Sequence, residues 1–120
     1  MKLDNVIVDK SKAFALRVVK LYKYLQAEKK EFVLSKQVLR CGTSIGANIK
    51  EAIRGQSRAD FSAKMNIALK EASETEYWLE LLHESDYIEE AHFSSIYQDC
   101  QELLKLLTAI VKTSSSNYNS

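Results

Sequence analysis

The sequence predicts an all-α protein, an antiparallel up-down-up-down four-helix bundle. Three observations predict it. Proline is absent and glycine occurs three times in 120 residues, far below the usual ~5% and ~7%, so the tight turns of a β-sandwich or barrel have little to build them. Apolar residues recur at steps of three and four along four successive stretches. Polar or charged clusters separate these stretches and leave only short connections, which make neighbouring helices antiparallel. A chain of this length hides roughly two-thirds of its unfolded surface, enough for one core. Residues 1–112 therefore read as a single domain. The polar segment Thr113–Ser120 is expected to be a disordered tail.

The first helix is expected to start at Asp9 as N-cap, with Phe14, Val18, Leu21 and Leu25 on its inward seam. Glu28–Glu31 reads as a charged connection. Ser35 is the expected cap of the second helix, whose seam is Val38, Cys41, Ile45, Ile49 and Ala52. Arg54-Gly55-Gln56 closes that helix, with Gly55 in the left-handed conformation. Ser57-Arg58-Ala59-Asp60 fits a capping box for the third helix. Its seam runs through Phe61, Met65, Ala68, Ala72, Thr75, Leu79 and Leu82 until Ser85-Asp86 breaks it. The fourth helix opens at Glu89-Glu90, acids suited to a helix N-terminus. Phe93, Ile96, Cys100, Leu103, Leu107 and Ile110 form its seam.

No apolar run approaches the ~18 residues of a membrane span. Met1–Asp9 carries Asp4 and Asp9 and lacks the apolar block of an export signal. With two cysteines and no such signal, the expected compartment is the cytoplasm. The net charge of +1 hides an asymmetry. Residues 1–60 hold thirteen Lys/Arg against six Asp/Glu, and residues 61–120 hold four against ten. Such a split suits a nucleic-acid face, the packing of one half on the other, or contact between one subunit's basic side and its neighbour's acidic side. For RNA or DNA, the candidates are Arg17, Lys20 and Lys23, which project away from the first seam. Arg54 and Arg58 join them beside the free N–H groups that open the third helix. No aromatic pattern accompanies these residues, so binding would follow backbone and shape more than base identity.

Gly42-Thr43-Ser44-Ile45-Gly46 lies inside the second helix, where each glycine costs about 1 kcal/mol relative to alanine. A phosphate loop would need a lysine after the last glycine and a preceding strand, and neither is present. The segment reads as a small-residue face on which another helix closes. Glu80-Leu81-Leu82-His83 and Glu89-Glu90-Ala91-His92 have the spacing used by di-iron bundles. They flank a turn, lie beside the seam, and find no inward glutamate on the other helices, so no metal is expected. Cys41 and Cys100 sit on seams without the spacing of a metal or redox motif. No Ser-His-Asp set can be assembled, because both histidines cluster at one end of the bundle and no preorganised nucleophile turn is present. The chain is thus expected to be no enzyme and to need no cofactor. Arg40, Ser44, Asn48 and Glu51 form a polar stripe. Folding back at Gln56–Arg58 sets Arg40 opposite Glu76 and Glu51 opposite Lys64, as structural pairs. The third helix is too apolar for one seam. Ile67, Tyr77, Trp78 and Leu81 form a second stripe, which predicts self-association.

The stretch from Leu39 to Ala52 resembles the R-x-x-x-S-I-x-x-N-I-x-E core of a bacterial four-helix-bundle family, carried here by Arg40, Ser44-Ile45, Asn48-Ile49 and Glu51. That family was first noted as reading frames within intervening sequences of large-subunit ribosomal RNA genes. Phe61, Ile67-Ala68, Ser73, Glu76 and Tyr87-Ile88 also fit its pattern, and the resemblance runs from about Phe14 to about Val111. Ala52 stands where glycine is frequent in the family. The family is related to the accessory proteins of diversity-generating retroelements, which form homopentamers and bind nucleic acid and a reverse transcriptase. The resemblance implies a homo-oligomer, with five as the copy number, and an RNA, DNA or protein partner. It implies no membrane association.

Overall fold

The structure is a computed structural model that describes the backbone of residues 2–119 and the side chains of residues 5–114. Four helices follow one another: α1 (Lys2–Ala27), α2 (Leu34–Ile53), α3 (Arg58–Glu84) and α4 (Glu90–Asn119). They form a rod of 49 × 21 × 21 Å. Side-chain pairs give the direction of each neighbour. Arg40 meets Glu71 and Glu74 while Glu51 meets Lys64, so α2 and α3 are antiparallel. Tyr97 reaches Glu80, and Ser114 reaches Ser62, which reverses α4 against α3. Lys10–Glu102 and Arg17–Asp99 close the ring between α1 and α4.

The predicted seams are the core, except that Phe61 and Phe93, the first residues of the α3 and α4 seams, are only half-buried against it. Phe14, Val18, Leu21 and Leu25 of α1 are at most 2% exposed, and so are Val38, Cys41, Ile45, Ile49 and Ala52 of α2. Met65, Ala68, Ala72, Leu79 and Leu82 of α3 are fully buried, as are Ile96, Cys100 and Leu107 of α4. Thr75, the polar member of its seam, is buried but donates its hydroxyl to the Glu71 carbonyl at 2.7 Å. Back-bonding within the helix occupies the hydroxyl hydrogen, and the Cys41 thiol of α2 bonds the same side chain.

Three helix ends differ from expectation. α1 begins well before Asp9, because Ile7 and Ser11 extend the seam backwards and both are buried. The polar Ser11 interrupts the hydrophobic pattern and hides this continuation. Ser11 is the small residue that lets α1 lie on Gly46 of α2. At α2, Ser35 is not the cap. Val33 precedes the helix and offers no side-chain bond. Glu31, two residues earlier, accepts the N–H groups of Val33, Leu34 and Ser35 at 3.2, 3.0 and 2.7 Å. Ser35 returns its hydroxyl to the Glu31 carbonyl at 2.8 Å. A carboxylate at this point meets both the orphan donors and the positive end of the helix dipole. Gly55 has no positive φ. Its N–H bonds the Ala52 carbonyl, and a Cβ there would lie 3.1 Å from that oxygen and 3.2 Å from the Asp60 Cβ. The glycine answers a close approach, not a left-handed turn.

Both ends of α3 follow the sequence. Ser57 accepts the Asp60 N–H at 3.1 Å and caps α3. The end of α3 is a Schellman turn. Tyr87 N–H bonds the Leu82 carbonyl, Asp86 N–H bonds the His83 carbonyl, and Asp86 takes the left-handed φ of 66°. The α4 backbone continues through Asn119. The disordered tail was expected from Thr113, but Thr113 and Ser114 are helical and Ser114 bonds Ser62, while the side chains beyond Ser114 lie outside the described residues.

Candidate interaction surfaces

The second stripe of α3 stays on the surface. Tyr77 is 54% and Ile67 41% exposed, while Trp78 and Leu81 are half-buried. Tyr77 and Trp78 meet edge to face with ring centroids 5.3 Å apart. The indole N–H of Trp78 points to Glu74 at 3.4 Å, and Glu74 is also held by Arg40. That carboxylate raises the Arg40 pKa further above its ordinary value, first through the hydrogen bond and then through its charge. The same α2–α3 register sets Val33, 70% exposed, at the level of Leu81. Tyr77 and Trp78 make an apolar patch on α3 with Leu81 one turn on, and Val33 is exposed at the same level of the rod. Sequence reasoning missed Val33, which lies outside any helical repeat.

Arg40 does not pair with Glu76 as expected. Its partners are Glu74, through a direct hydrogen bond, and Glu71 at 3.6 Å. Residues two apart on a helix point in different directions, and Glu76 faces α4, where it accepts from Gln101. The expected Glu51–Lys64 pair is present at 3.1 Å. Both pairs are largely exposed, so they set register more than stability.

The basic candidates separate. Arg17 is committed to Asp99 at 2.7 Å and ties α1 to α4. Lys20, Lys23, Arg54 and Arg58 are exposed. Lys20 and Lys23 sit toward one end of the rod and Arg54 and Arg58 toward the other. At the latter end, Ser57 occupies the Asp60 N–H and the Asp60 carboxylate lies in the first turn of α3. Both features compete with an incoming phosphate.

Between α1 and α2 runs a groove of about 480 Å³ that no single motif announces. Its floor is Val8, Ala15, Gly46, Ala47 and Ile53, and Lys12, Lys50 and Arg54 stand around it. The helices close tightly beneath it. A Cβ on Gly42 would lie 2.9 Å from both Val18 methyls, and one on Gly46 3.4 Å from the Ser11 hydroxyl. The readable signal is a second row on α1, Val8, Ala15, Val19 and Tyr22, at helical spacing.

The two Glu-x-x-His pairs do not converge. Glu80 accepts from the Tyr97 hydroxyl and holds its pKa well above the ordinary tyrosine range. His83 bonds Glu90 at 2.7 Å and stacks on Phe93, with centroids 4.0 Å apart. His92 meets the edge of Tyr24. Among the described residues no three His, Cys, Asp or Glu are grouped to hold a metal ion. Burial pushes the Cys41 and Cys100 thiols up to about 11 and about 12. They are protonated at neutral pH and are poor nucleophiles.

Over residues 3–109 the chain matches the model of the 23S rRNA-intervening sequence protein family. The protein belongs to this family. A crystal structure of a protein of unknown function from the S23 ribosomal protein family of Bacteroides thetaiotaomicron is similar to it at 62% identity. The likeness covers 92% of this chain and 98% of that one, with a TM-score of 0.90. No curated protein matches the chain. Neither the family's description nor that of the solved structure names an enzyme. Among the described residues, no helix of this family member is long and apolar enough to cross a membrane.

Proposed function

We propose that this member of the 23S rRNA-intervening sequence protein family is a non-enzymatic, homo-oligomeric interaction module. The observation that carries this reading is the apolar stripe of Ile67, Tyr77, Trp78 and Leu81 on α3, of which the four-helix core leaves Ile67 and Tyr77 exposed and Trp78 and Leu81 half-buried. Large aromatic residues clustered on an otherwise charged surface mark an interface. The buried, protonated thiols and the dispersed histidines supply no catalytic constellation, which favours binding over chemistry. The resemblance supplies the copy number of five. Sedimentation of the purified protein at micromolar concentration tests the reading: the parent sediments as an oligomer, and Trp78→Glu sediments as a monomer. A monomeric parent overturns it.

A second reading rests on the charge asymmetry and the exposure of Lys20, Lys23, Arg54 and Arg58. These residues bind RNA or DNA through the phosphate backbone. Counterion release then makes affinity fall roughly a thousandfold between 50 and 200 mM salt for about six phosphate contacts. Reversing the charge of Lys20, Lys23 and Arg58 abolishes the binding and leaves oligomer size unchanged. Undiminished RNA binding by the reversed protein removes this reading.

A further inference from the structure

We infer that two copies of this chain dock end to end, each laying its basic α1–α2 connection on the other's acidic α3–α4 connection. Antiparallel neighbours bring both connections to one end of the rod. Tyr24, near the end of α1, touches His92, near the start of α4, at that end. The two connections carry opposite charge. Lys23, Lys29 and Lys30 are exposed around the first, with Glu28 among them. Glu84, Asp86 and Glu89 are exposed around the second. Among the described residues, none of these side chains has an ion pair or hydrogen bond within its own chain. Glu90 differs, since His83 and Ser94 already hold it.

Both connections are fixed in shape. The Glu31 N–H bonds the Leu25 carbonyl at 3.0 Å while its carboxylate clamps the start of α2, which pins Lys29 and Lys30 between the helices. The Tyr87 N–H bonds the Leu82 carbonyl at 2.9 Å and pins Asp86. Lys30 and Asp86 each occupy the left-handed region, with φ of 55° and 66°. Charges carried on a preset backbone are matched at little ordering cost.

A two-fold axis lying across the end admits two arrangements. In one, each basic connection lies over the other copy's acidic one. In the other, like charges meet. The end is thus complementary to itself in a single orientation. Nucleic acid does not satisfy it, because a phosphate drawn to Lys29 and Lys30 meets three carboxylates on the same 21 × 21 Å end. Phe32, in the basic connection and 50% exposed, gives the contact apolar surface beside its charges. The end is smaller than the ~800 Å² per partner of a stable interface, so a single pair of chains holds weakly and yields to salt. Where copies stand side by side with parallel axes, several ends dock together and the contacts multiply. That gain alone rests on the self-association proposed above.

Charge exchange tests the inference. Lys29→Glu with Lys30→Glu makes both connections net acidic. Glu84→Lys with Glu89→Lys makes both net basic, and Asp86→Asn replaces Glu89→Lys if circular dichroism shows lost helix. Small-angle X-ray scattering reads mass and longest dimension at about 0.5 mM chain, a concentration suited to a small interface. Measurements are made in roughly 50 and 500 mM salt, the second of which screens surface charge. At low salt the parent has twice its high-salt mass and about twice its length. Each exchanged variant keeps the high-salt mass at both salts. Mixed in equal amounts at low salt, the two variants regain the doubled mass and length. A parent of equal mass at both salts overturns the inference, and so does a mixture that fails to double. The high-salt mass reports separately on the proposed self-association. A single chain there overturns that reading, and the end contact is then read as one chain becoming two.

Discussion

The α1–α2 and α3–α4 sides of the bundle are built on opposite terms. On the first side, contact is by shape. Gly42 lies under Val18, Gly46 lies under Ser11, and the backbones approach because side chains have been removed. On the second side, contact is laced by polar side chains. Tyr97 donates to Glu80, Gln101 to Glu76, Ser114 to Ser62, and the Cys100 thiol points at the Ala72 carbonyl at 3.5 Å. The charge follows the same division, basic on the first pair of helices and acidic on the second. A four-helix fold thus tolerates two kinds of seam. The steric seam has no give, whereas each bond of the polar seam can be lost singly. This difference also leaves the first side with a groove and the second with a rim of carboxylates.

The sharpest way to break the comparison is at Gly42. A leucine there must push aside Val18, whose β-branched side chain has little freedom to turn. Gly42→Leu is expected to lose about 3 kcal/mol by overpacking, read from urea denaturation. Gly46→Ala, at the looser contact below the groove, is expected to be neutral or slightly stabilising. Equal losses at both positions would show that the α1–α2 seam is not graded as the two distances imply.

The connections differ as the seams do. Glu31 joins α1 to α2 by holding three backbone N–H groups. Burial alone would raise its pKa, but the N–H groups of Leu34, Ser35 and Val33 and the Ser35 hydroxyl together lower it below 4.5. With the folded pKa below the unfolded one, the stabilisation is fully present above pH 4.5 and is lost as pH falls through the folded value. Glu31→Gln is expected to lose about 1–2 kcal/mol at neutral pH. Its stability should also fall less steeply than the parent's on acidification below that range. Parallel acid-denaturation curves would show that Glu31 does not carry this dependence.

Along the polar seam a single loss is smaller. Tyr97→Phe removes the hydroxyl bound to Glu80 and keeps the ring packed near Phe93. It is expected to lose about 1 kcal/mol, which a thermal melt resolves. A loss as large as that of Gly42→Leu would erase the distinction between the seams. The smallest effect is a gain. Asp86 sits at a φ of 66° where α3 turns into its connection. Asp86→Gly relieves the left-handed strain and is expected to raise stability by a few tenths of a kcal/mol, since the freer unfolded glycine offsets part of the relief.

Most of the fold was legible because helical period is local. The seams of Val38–Ala52 and Met65–Leu82 run at steps of three and four whatever they pack against, and both are buried as their spacing predicts. The cap at Ser57 was legible for the same reason. The start of α1 was not, because Ser11 is a polar residue on a buried face and its burial depends on Gly46 across the seam. The candidate surfaces were half legible. Ile67, Tyr77, Trp78 and Leu81 announced an excess of apolar surface on α3, but the exposed Val33 came to lie at the level of Leu81 only once α2 and α3 were set in register.

By itself, then, the sequence determined four amphipathic helices, their inward faces, the division of charge between the first and second pairs, and the small-residue face at Gly42 and Gly46. Each of these is a property of residues a few positions apart on one helix. Tertiary structure alone decided that Arg40 meets Glu74 and Glu71 while Glu76 turns to Gln101. It decided likewise that Glu31 folds back onto the start of α2, and that Val8, Gly46 and Ile53 share one groove with Lys12 and Lys50. Those outcomes depend on the rotation and axial shift of one helix against another. A turn of one residue, about 100°, exchanges one partner for the next, and only the packing of all four seams together selects among them.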